Sequence, residues 1–134
     1  MAPTLKVEAI PTVKATKGST ATVVLRASLP AGYHANTNKP TESYLIPLSL
    51  KWTAGPMEMA SVEYPKGTLE KYSFSDKPLS VVTGEFAITT KFKVPSSAAN
   101  GPAAQTGTLR YQACDNKACY PPKNIPVNIT VSID

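Results

Sequence analysis

The sequence VNITVSID, residues 127–134, alternates apolar and polar side chains at every position. Successive side chains of a β-strand point to opposite faces, so this stretch predicts a strand with one face in a core and the other in solvent. Three further stretches, at residues 21–29, 46–52 and 88–94, show mostly the same period of two. Because a helix has a period near 3.6 residues, these four stretches predict an all-β protein.

Weaker strand patterns fill the intervals between these stretches. Residues 7–14, 57–64 and 108–113 carry strand-forming residues, and turns rich in Gly and Pro separate the segments. In the second segment the apolar phase slips between Met59 and Val62, which predicts a β-bulge. About seven to nine antiparallel strands must stack into two sheets or close into a barrel, and we expect an immunoglobulin-like β-sandwich.

Length and composition are those of one globular domain. The chain has 134 residues, of which 42% are hydrophobic, so we expect a single domain over residues 1–134. Thirteen prolines are spread along the chain and leave little room for long helices. Residues 66–84 form the one long stretch without clear alternation, and long loops on a rigid scaffold often carry function.

The net charge of +5 raises the question of nucleic-acid binding. The lysines are scattered singly and the chain has only two arginines, Arg26 and Arg110, whereas phosphate binding needs a clustered basic face. We therefore expect no nucleic-acid partner. No apolar run approaches the ~20 residues of a membrane helix, and the N-terminal residues lack a signal-peptide pattern. We expect a mature domain or an excised piece of a longer chain that does not itself enter the membrane.

The sequence CDNKAC, residues 114–119, contains both cysteines of the chain. The residues between them favour a turn, and a hairpin turn can bring two Cα atoms within the ~4.4–6.8 Å that a disulfide needs. A bridge across so short a loop restricts the unfolded chain by only about 2 kcal/mol, but another protein's thiolate can reach it. The residues alone leave a redox role and a local structural role for Cys114–Cys119 equally open.

Other kinds of chemistry have less support in the sequence. Zinc sites use four ligands, and besides the two thiols the chain offers one histidine, His34, in a distant segment. A Cys–Cys–His–carboxylate set is a third interpretation of the cysteines, but we expect no metal ion, and we expect His34 to be a surface or turn residue. One histidine without a nucleophile motif makes no catalytic triad, and no glycine-rich loop indicates phosphate binding.

Several segments resemble the family of the N-terminal periplasmic domain of the thiol–disulfide interchange protein DsbD. The segment YQACDNKACYPP, residues 111–122, is the most specific of them. The corner LPAGYHANTN at residues 29–38, the strand IPLSLKW at residues 46–52 and the segment YPKG at residues 64–67 match the family in type and place. The resemblance therefore spans nearly the whole chain.

The resemblance implies a periplasmic immunoglobulin-like domain with the cysteine pair at one end of the sandwich. Such a domain takes electrons from a thioredoxin-like domain and passes them to periplasmic thiol–disulfide proteins, as part of a longer membrane-anchored parent. By this resemblance Cys119 forms the mixed disulfide with a partner and Cys114 resolves it. A cap loop with an aromatic residue shields the pair in the family, and residues 70–77 match it here, with Phe74 as the first candidate and Tyr72 as the second. No cofactor is implied, and we expect a monomer.

Two departures from the family pattern bear on the site. Four residues separate the cysteines instead of five, which predicts a tighter turn. The acidic residues expected before the cap aromatic are replaced by Tyr72 and Ser73, so Asp115 and Lys117 are the charged residues nearest to the thiols in sequence.

The aromatic residues near the pair have two interpretations. Tyr111 and Tyr120 flank the cysteines and either shield them or pack in the core and its rim, and Phe74 and Tyr72 either cap the pair or are loop aromatics packed on the sandwich. The alternative to a redox domain belongs to another class of protein, an immunoglobulin-like binding or structural module in which the disulfide is a permanent local clip.

Overall fold

The computed structural model describes residues 3–134, and within them the regular elements are β-strands. No helix in that part of the chain has the length and apolar character needed to cross a membrane. The twelve strands, in chain order, are β1 (Lys6–Val7), β2 (Val13–Ala15), β3 (Thr20–Ser28), β4 (His34–Asn36), β5 (Ser49–Trp52), β6 (Glu58–Glu63), β7 (Thr68–Glu70), β8 (Leu79–Thr83), β9 (Glu85–Lys93), β10 (Gly101–Tyr111), β11 (Ala113–Cys114) and β12 (Lys123–Ile133).

Two four-stranded sheets form the body of the domain. The first has the strand order β1-β3-β9-β6 and the second the order β2-β12-β10-β5. The longest pairings are antiparallel, β3 with β9 in the first sheet and β10 with β12 in the second. Because the inward side chains of both sheets belong to one buried apolar cluster, the two sheets pack face to face as a sandwich. Its fully buried members include Leu25, Ile88, Phe92, Leu109 and Val131.

A third sheet, with the order β11-β4-β8-β7, carries the first cysteine. A single residue, Gln112, separates the end of β10 from the start of β11, so this sheet starts where the second sheet stops. Ala35 of β4 pairs with Ala113 of β11 on one side and with Val82 of β8 on the other. This part of the chain has a small buried apolar cluster of its own, which consists of Leu45, Leu79 and Val81.

The four clearest strand patterns of the sequence are confirmed. β12 includes residues 127–133 and buries their apolar side chains, while β3 and β9 coincide with the patterns at residues 21–29 and 88–94 to within a few residues. β5 is shorter than the pattern at residues 46–52 and begins at Ser49. The fold is therefore the predicted all-β, immunoglobulin-like sandwich.

The weaker patterns are resolved in more detail by the structure. The predicted bulge is present, because the register of β6 against β9 shifts between Met59 and Ser61. Residues 7–14 contain parts of two strands with Pro11 between them, and a proline has no N–H to donate to a strand ladder. Residues 66–84 were expected to be a loop, but they contain β7 and β8. β7 is exposed throughout and β8 is mostly buried on both faces, so neither strand shows an alternating pattern.

The strand count and one pairing differ from the expectation of seven to nine antiparallel strands. Twelve strands are present because several, such as β1, β4 and β11, have only two or three residues, too few to show a period. β2 pairs in parallel with β12 at the edge of the second sheet. The chain reaches this edge by crossing between β1 and β2 from the first sheet to the second, an arrangement that strand periodicity does not encode.

Candidate functional site

Cys114 and Cys119 form a disulfide in the structure. Cys114 ends β11 and faces Cys119 across an isolated antiparallel bridge, with the two Cα atoms 3.9 Å apart, closer than the expected range. Cys114 is fully buried, whereas Cys119 is half-buried. The pair is therefore asymmetric. Solvent reaches Cys119 at the outer side of the loop and does not reach Cys114 at the end of β11.

The Asp115 carboxylate holds the four-residue loop between the cysteines in place. Its Oδ1 accepts hydrogen bonds from the backbone N–H of Lys117 at 2.8 Å and of Ala118 at 2.9 Å, and its own N–H donates to the Ala118 carbonyl at 2.9 Å. Because these backbone N–H groups stabilise the charged form, the pKa of Asp115 is lowered. Asp115 is a structural residue of the loop, as Asp commonly is in turns.

Two more of the predicted site residues lie at this loop. The Tyr120 hydroxyl donates to Asp115 Oδ2 at 3.1 Å, and this bond is the main reason that the pKa of Tyr120 is raised. The Tyr120 ring lies 6.4 Å from the ring of Tyr33. The side chain of Lys117 is exposed, and its charge makes only the smallest of the contributions that lower the Asp115 pKa.

Tyr111 lies in the main core, away from the loop. It is 1% exposed and belongs to the large apolar cluster, and its hydroxyl accepts a hydrogen bond of 3.2 Å from the backbone N–H of Leu5. Of the two interpretations of the flanking tyrosines, Tyr111 fits core packing and Tyr120 fits a place at the rim of the cysteine pair.

The segment of residues 71–75, here called the cap segment, lies beside the disulfide. The rings of Tyr72 and Phe74, 5.7 Å apart and nearly parallel, pack with Cys119 against the small apolar cluster. Ser73 Oγ, between them, donates a hydrogen bond of 2.7 Å to the carbonyl of Asn116 in the cysteine loop. Lys71 Nζ donates to the carbonyls of Tyr72 and Ser75 and closes the segment on itself. Both candidate cap aromatics thus share the small apolar cluster with Cys119.

His34 is buried at the centre of this arrangement, so its prediction as a surface or turn residue is wrong. It is 2% exposed, and its position on β4 is directly opposite Cys114. Its ring stacks on that of Tyr72, with the ring centroids 4.0 Å apart and an interplanar angle of 10°. The centroid of the Phe74 ring lies 6.4 Å from that of His34. Burial lowers the pKa of His34 to about 4, and the nearby Asp115 carboxylate opposes this only in part. Nε2 is buried and has no hydrogen-bond partner among the described residues.

Sequence reasoning missed His34 because every residue of β4 is buried, so the strand does not alternate. The sequence also gave no role to Gln112, which ties the site together. Its Oε1 accepts hydrogen bonds of 3.0 Å from Asn36 Nδ2 and from the Ile46 N–H, and its Nε2 donates to the Tyr120 carbonyl at 3.3 Å. One signal could have indicated this role. Gln112 precedes Cys114 by two residues, and residues i and i+2 of an extended chain point to the same face.

The chemistry available here is that of a disulfide beside a neutral imidazole. Across residues 3–134, no group of three or more His, Cys, Asp or Glu side chains is placed to hold a metal ion. Of the two sulfur-bearing residues, Cys119 is partly exposed and Cys114 is fully buried.

The sequence matches one protein family over nearly its whole length. The model of the family described as "Thiol:disulfide interchange protein DsbD, N-terminal" matches residues 2–130. No curated protein is similar enough in sequence to match the chain.

Three solved structures are similar to this fold. One is the N-terminal periplasmic domain of ScsB from Proteus mirabilis, with 15% identity, a TM-score of 0.65, and 93% of this chain and 44% of that chain covered. Another is the DsbD N-terminal domain of Neisseria meningitidis in the reduced form, with 18% identity, a TM-score of 0.53, and 92% and 85% covered. The third is the seventh ScaB type I cohesin of Pseudobacteroides cellulosolvens, with 16% identity, a TM-score of 0.51, and 97% and 92% covered. At these identities the likeness shows a shared fold, and the chain spans less than half of the ScsB chain.

Proposed function

The chain belongs to the family of the N-terminal domains of the thiol:disulfide interchange protein DsbD, and from this membership we propose that it relays electrons through the Cys114–Cys119 pair. It takes two electrons from a thioredoxin-like domain and passes them to other extracytoplasmic thiol–disulfide proteins. One observation carries the proposal: Cys119 is half-buried at the outer side of the loop, whereas its partner Cys114 is fully buried. This asymmetry supports different tasks for the two sulfurs.

Reduction of the domain follows from this asymmetry. A thiolate of the donor attacks Cys119 Sγ, the Cys114–Cys119 bond breaks, and Cys114 leaves as a thiolate that takes up a proton. A second thiolate of the donor then attacks the donor sulfur of the mixed disulfide and releases Cys119. The domain has gained two electrons and holds two thiols, and the donor holds a disulfide. Transfer to a partner disulfide runs through the same steps in reverse, with Cys114 resolving the second mixed disulfide.

The cap segment controls access in this proposal. Tyr72, Phe74 and Cys119 pack against the same small apolar cluster, which supports a cap that a partner displaces to reach the sulfur. Phe74 shields Cys119, and Tyr72 covers His34, on which it stacks. The cap segment is held by only a few polar contacts, one of which is the hydrogen bond from Ser73, so its displacement is feasible without disturbing the main core.

Membership of the family also supports a location for the domain and its place within a longer protein. The ScsB structure is described as a periplasmic domain and is more than twice as long as the part that matches this chain. We therefore place this domain in the periplasm as part of a longer membrane-anchored protein, where it acts as a monomer between its partners.

A second candidate is an immunoglobulin-like binding or structural module with a permanent clip. The observation in its favour is the likeness to a cohesin, which shows that the sandwich by itself does not specify a redox function. A permanent clip and a redox pair differ in one measurable property, which is equilibration with external thiols.

A redox titration tests the proposal. The domain is equilibrated in buffers of reduced and oxidised glutathione or dithiothreitol, the thiols are alkylated, and the species are counted by mass spectrometry while circular dichroism follows the fold. A relay domain passes from disulfide to dithiol at a defined potential without unfolding. If the bridge resists reduction until the fold is lost, the relay proposal is overturned and the permanent clip is supported.

Trapping of a mixed disulfide tests the roles of the two sulfurs. Cys114→Ser leaves the accessible thiol, and Cys119→Ser is the matched control that leaves the buried one. Each is mixed with a thioredoxin-like domain whose resolving cysteine is replaced and whose remaining thiol is activated. We expect at least a tenfold higher yield of the adduct with Cys114→Ser, and equal yields would contradict the assignment.

A further inference from the structure

His34 is buried beside the disulfide, and the thiol–disulfide exchange steps of the proposed function do not use it. We propose that Nε2 of His34 accepts the proton of the Cys114 thiol while that sulfur attacks the mixed disulfide on Cys119. The inference rests on the proposed function and adds a catalytic residue to it.

Strand pairing brings the imidazole and the thiol together. His34 and Cys114 are directly opposite each other in the antiparallel pair of β4 and β11. Residues in such a pair have side chains on the same face of the sheet, with Cβ atoms about 4.5–5.5 Å apart. Nε2 is buried and free of hydrogen bonds within the described residues, although a buried nitrogen of this kind normally has a partner. A thiol proton on Cys114, which exists only after reduction, supplies the missing partner.

The other ionisable groups around the pair are engaged or turned to solvent. The carboxylate of Asp115 already accepts three hydrogen bonds, which engage both of its oxygens. The hydroxyl of Tyr120 donates to Asp115, and Lys71 donates to carbonyls of the cap segment. Glu70 and Lys117 are exposed. His34 is thus the ionisable group next to Cys114 with a free lone pair.

Burial makes the proton acceptor necessary and also keeps it available. Apolar surroundings in general disfavour a thiolate, and a protonated thiol is a weak nucleophile. The same enclosure lowers the pKa of His34 to about 4, so the imidazole is neutral near pH 7. The groups that face it are Asp115 from the loop, Tyr72 from the cap segment and the uncharged Thr83 from β8. Burial, and after it the charge of Glu70, raises the pKa of Tyr72.

The step balances in atoms and electrons. The Cys114 S–H bond breaks as its proton passes to Nε2, and the sulfur electron pair forms the Cys114–Cys119 bond. The bond between Cys119 and the partner sulfur breaks, and its electron pair leaves on the partner as a thiolate. The imidazolium then returns its proton to the departing thiolate or to water. The domain is oxidised to the disulfide, and the partner sulfur is reduced.

The test is a stopped-flow reaction of the reduced domain with excess 5,5′-dithiobis(2-nitrobenzoate). The first thionitrobenzoate is released when Cys119 attacks, at a rate proportional to reagent concentration. The second is released when Cys114 resolves the adduct, at a rate independent of that concentration. His34→Phe keeps an aromatic ring for the stack but has no nitrogen, and Thr83→Ala is the control that alters the β8 neighbour of His34 but keeps the imidazole.

We expect His34→Phe to slow the second phase at pH 7 at least tenfold and to leave the first phase within twofold. Its second-phase rate should rise about tenfold per pH unit, as for a thiol that loses its proton to hydroxide, whereas the wild-type rate should be nearly flat between pH 6 and 8. His34→Gln, which also lacks the base, should behave in the same way, and Thr83→Ala should keep a fast second phase.

Wild-type rates in the second phase of both His34 variants would overturn the inference. The proposed function fails separately, because a domain whose adduct never resolves, even with His34 present, is not a relay. Circular dichroism and thermal melting show whether each variant is folded. If His34→Phe does not fold, His34→Gln decides the question.

Discussion

Ser73 donates a hydrogen bond of 2.7 Å from its hydroxyl to the carbonyl oxygen of Asn116, and this bond joins the cap segment to the cysteine loop. Both residues are exposed, so the bond contributes little to global stability. Ser73 lies between Tyr72 and Phe74 in the cap segment, so the bond ties the backbone that carries both rings to the cysteine loop.

Removal of this bond should speed access to the disulfide. We expect Ser73→Ala to be reduced by dithiothreitol about two- to fivefold faster than the wild type, because a loosened cap segment exposes Cys119 more often. Its free energy of unfolding should change by less than about 1 kcal/mol. Ser97→Ala, at an exposed turn remote in sequence, is the control. Equal reduction rates for wild type and Ser73→Ala would show that the bond does not gate the pair.

The two flanking tyrosines should respond in opposite ways to loss of their hydroxyls. Tyr111→Phe leaves the buried N–H of Leu5 without its partner, so we expect a loss of about 1–2 kcal/mol in stability and an unchanged rate of disulfide reduction. Tyr120→Phe removes one hydrogen bond from Asp115 at the loop, so we expect a changed reduction rate and a smaller loss of stability. Urea denaturation and dithiothreitol kinetics measure both; a reversed pattern would contradict the positions described for these residues.

The long strands and the cysteine pair could be predicted from the sequence because each carries a local signal. β3, β9 and β12 bury one face, so their side chains alternate, and Cys114 and Cys119 are close in the chain. The cap aromatics, Tyr72 and Phe74, could be named only from the resemblance to a family, since their own segment shows no periodic pattern.

The middle of the site could not be predicted, for a physical reason. His34 lies on a three-residue strand that is buried on both faces, so no alternation marks it, and its neighbours come from distant segments. The same applies to Gln112, whose three hydrogen bonds join residues up to 76 positions apart. Contacts of this range depend on sheet topology, which local patterns do not contain.

Reduction of the disulfide should leave the domain folded. The loop between Cys114 and Cys119 is short, so the bridge restricts the unfolded chain by only about 2 kcal/mol, and the main core lies between sheets that the bridge does not join. We expect the reduced protein to melt cooperatively at a temperature about 6–8 °C lower than the oxidised protein. Calorimetry of both forms checks this, with Cys114→Ser/Cys119→Ser as the control that cannot re-oxidise. Unfolding on reduction would mean that the bridge is structural.

Stability should fall on acidification because of His34. Its pKa is about 4 in the folded domain and ~6.5 in an unfolded chain, so between these values the unfolded state binds more protons. The free energy of unfolding is therefore highest above pH 6.5 and decreases as the pH falls to 4, by at most about 3 kcal/mol. Urea denaturation at intervals between pH 7 and pH 4 measures the slope.

His34→Phe should be nearly flat over the same interval, because a ring that does not titrate binds no proton in either state. Asp115 adds a loss of stability in the same direction but at lower pH, since its pKa is already lowered in the folded domain. Tyr72→Ala gives an independent check: exposure of the imidazole should move the pKa of His34 upward toward ~6.5 in an NMR titration. A wild-type slope that persists in His34→Phe would assign the acid sensitivity to other residues.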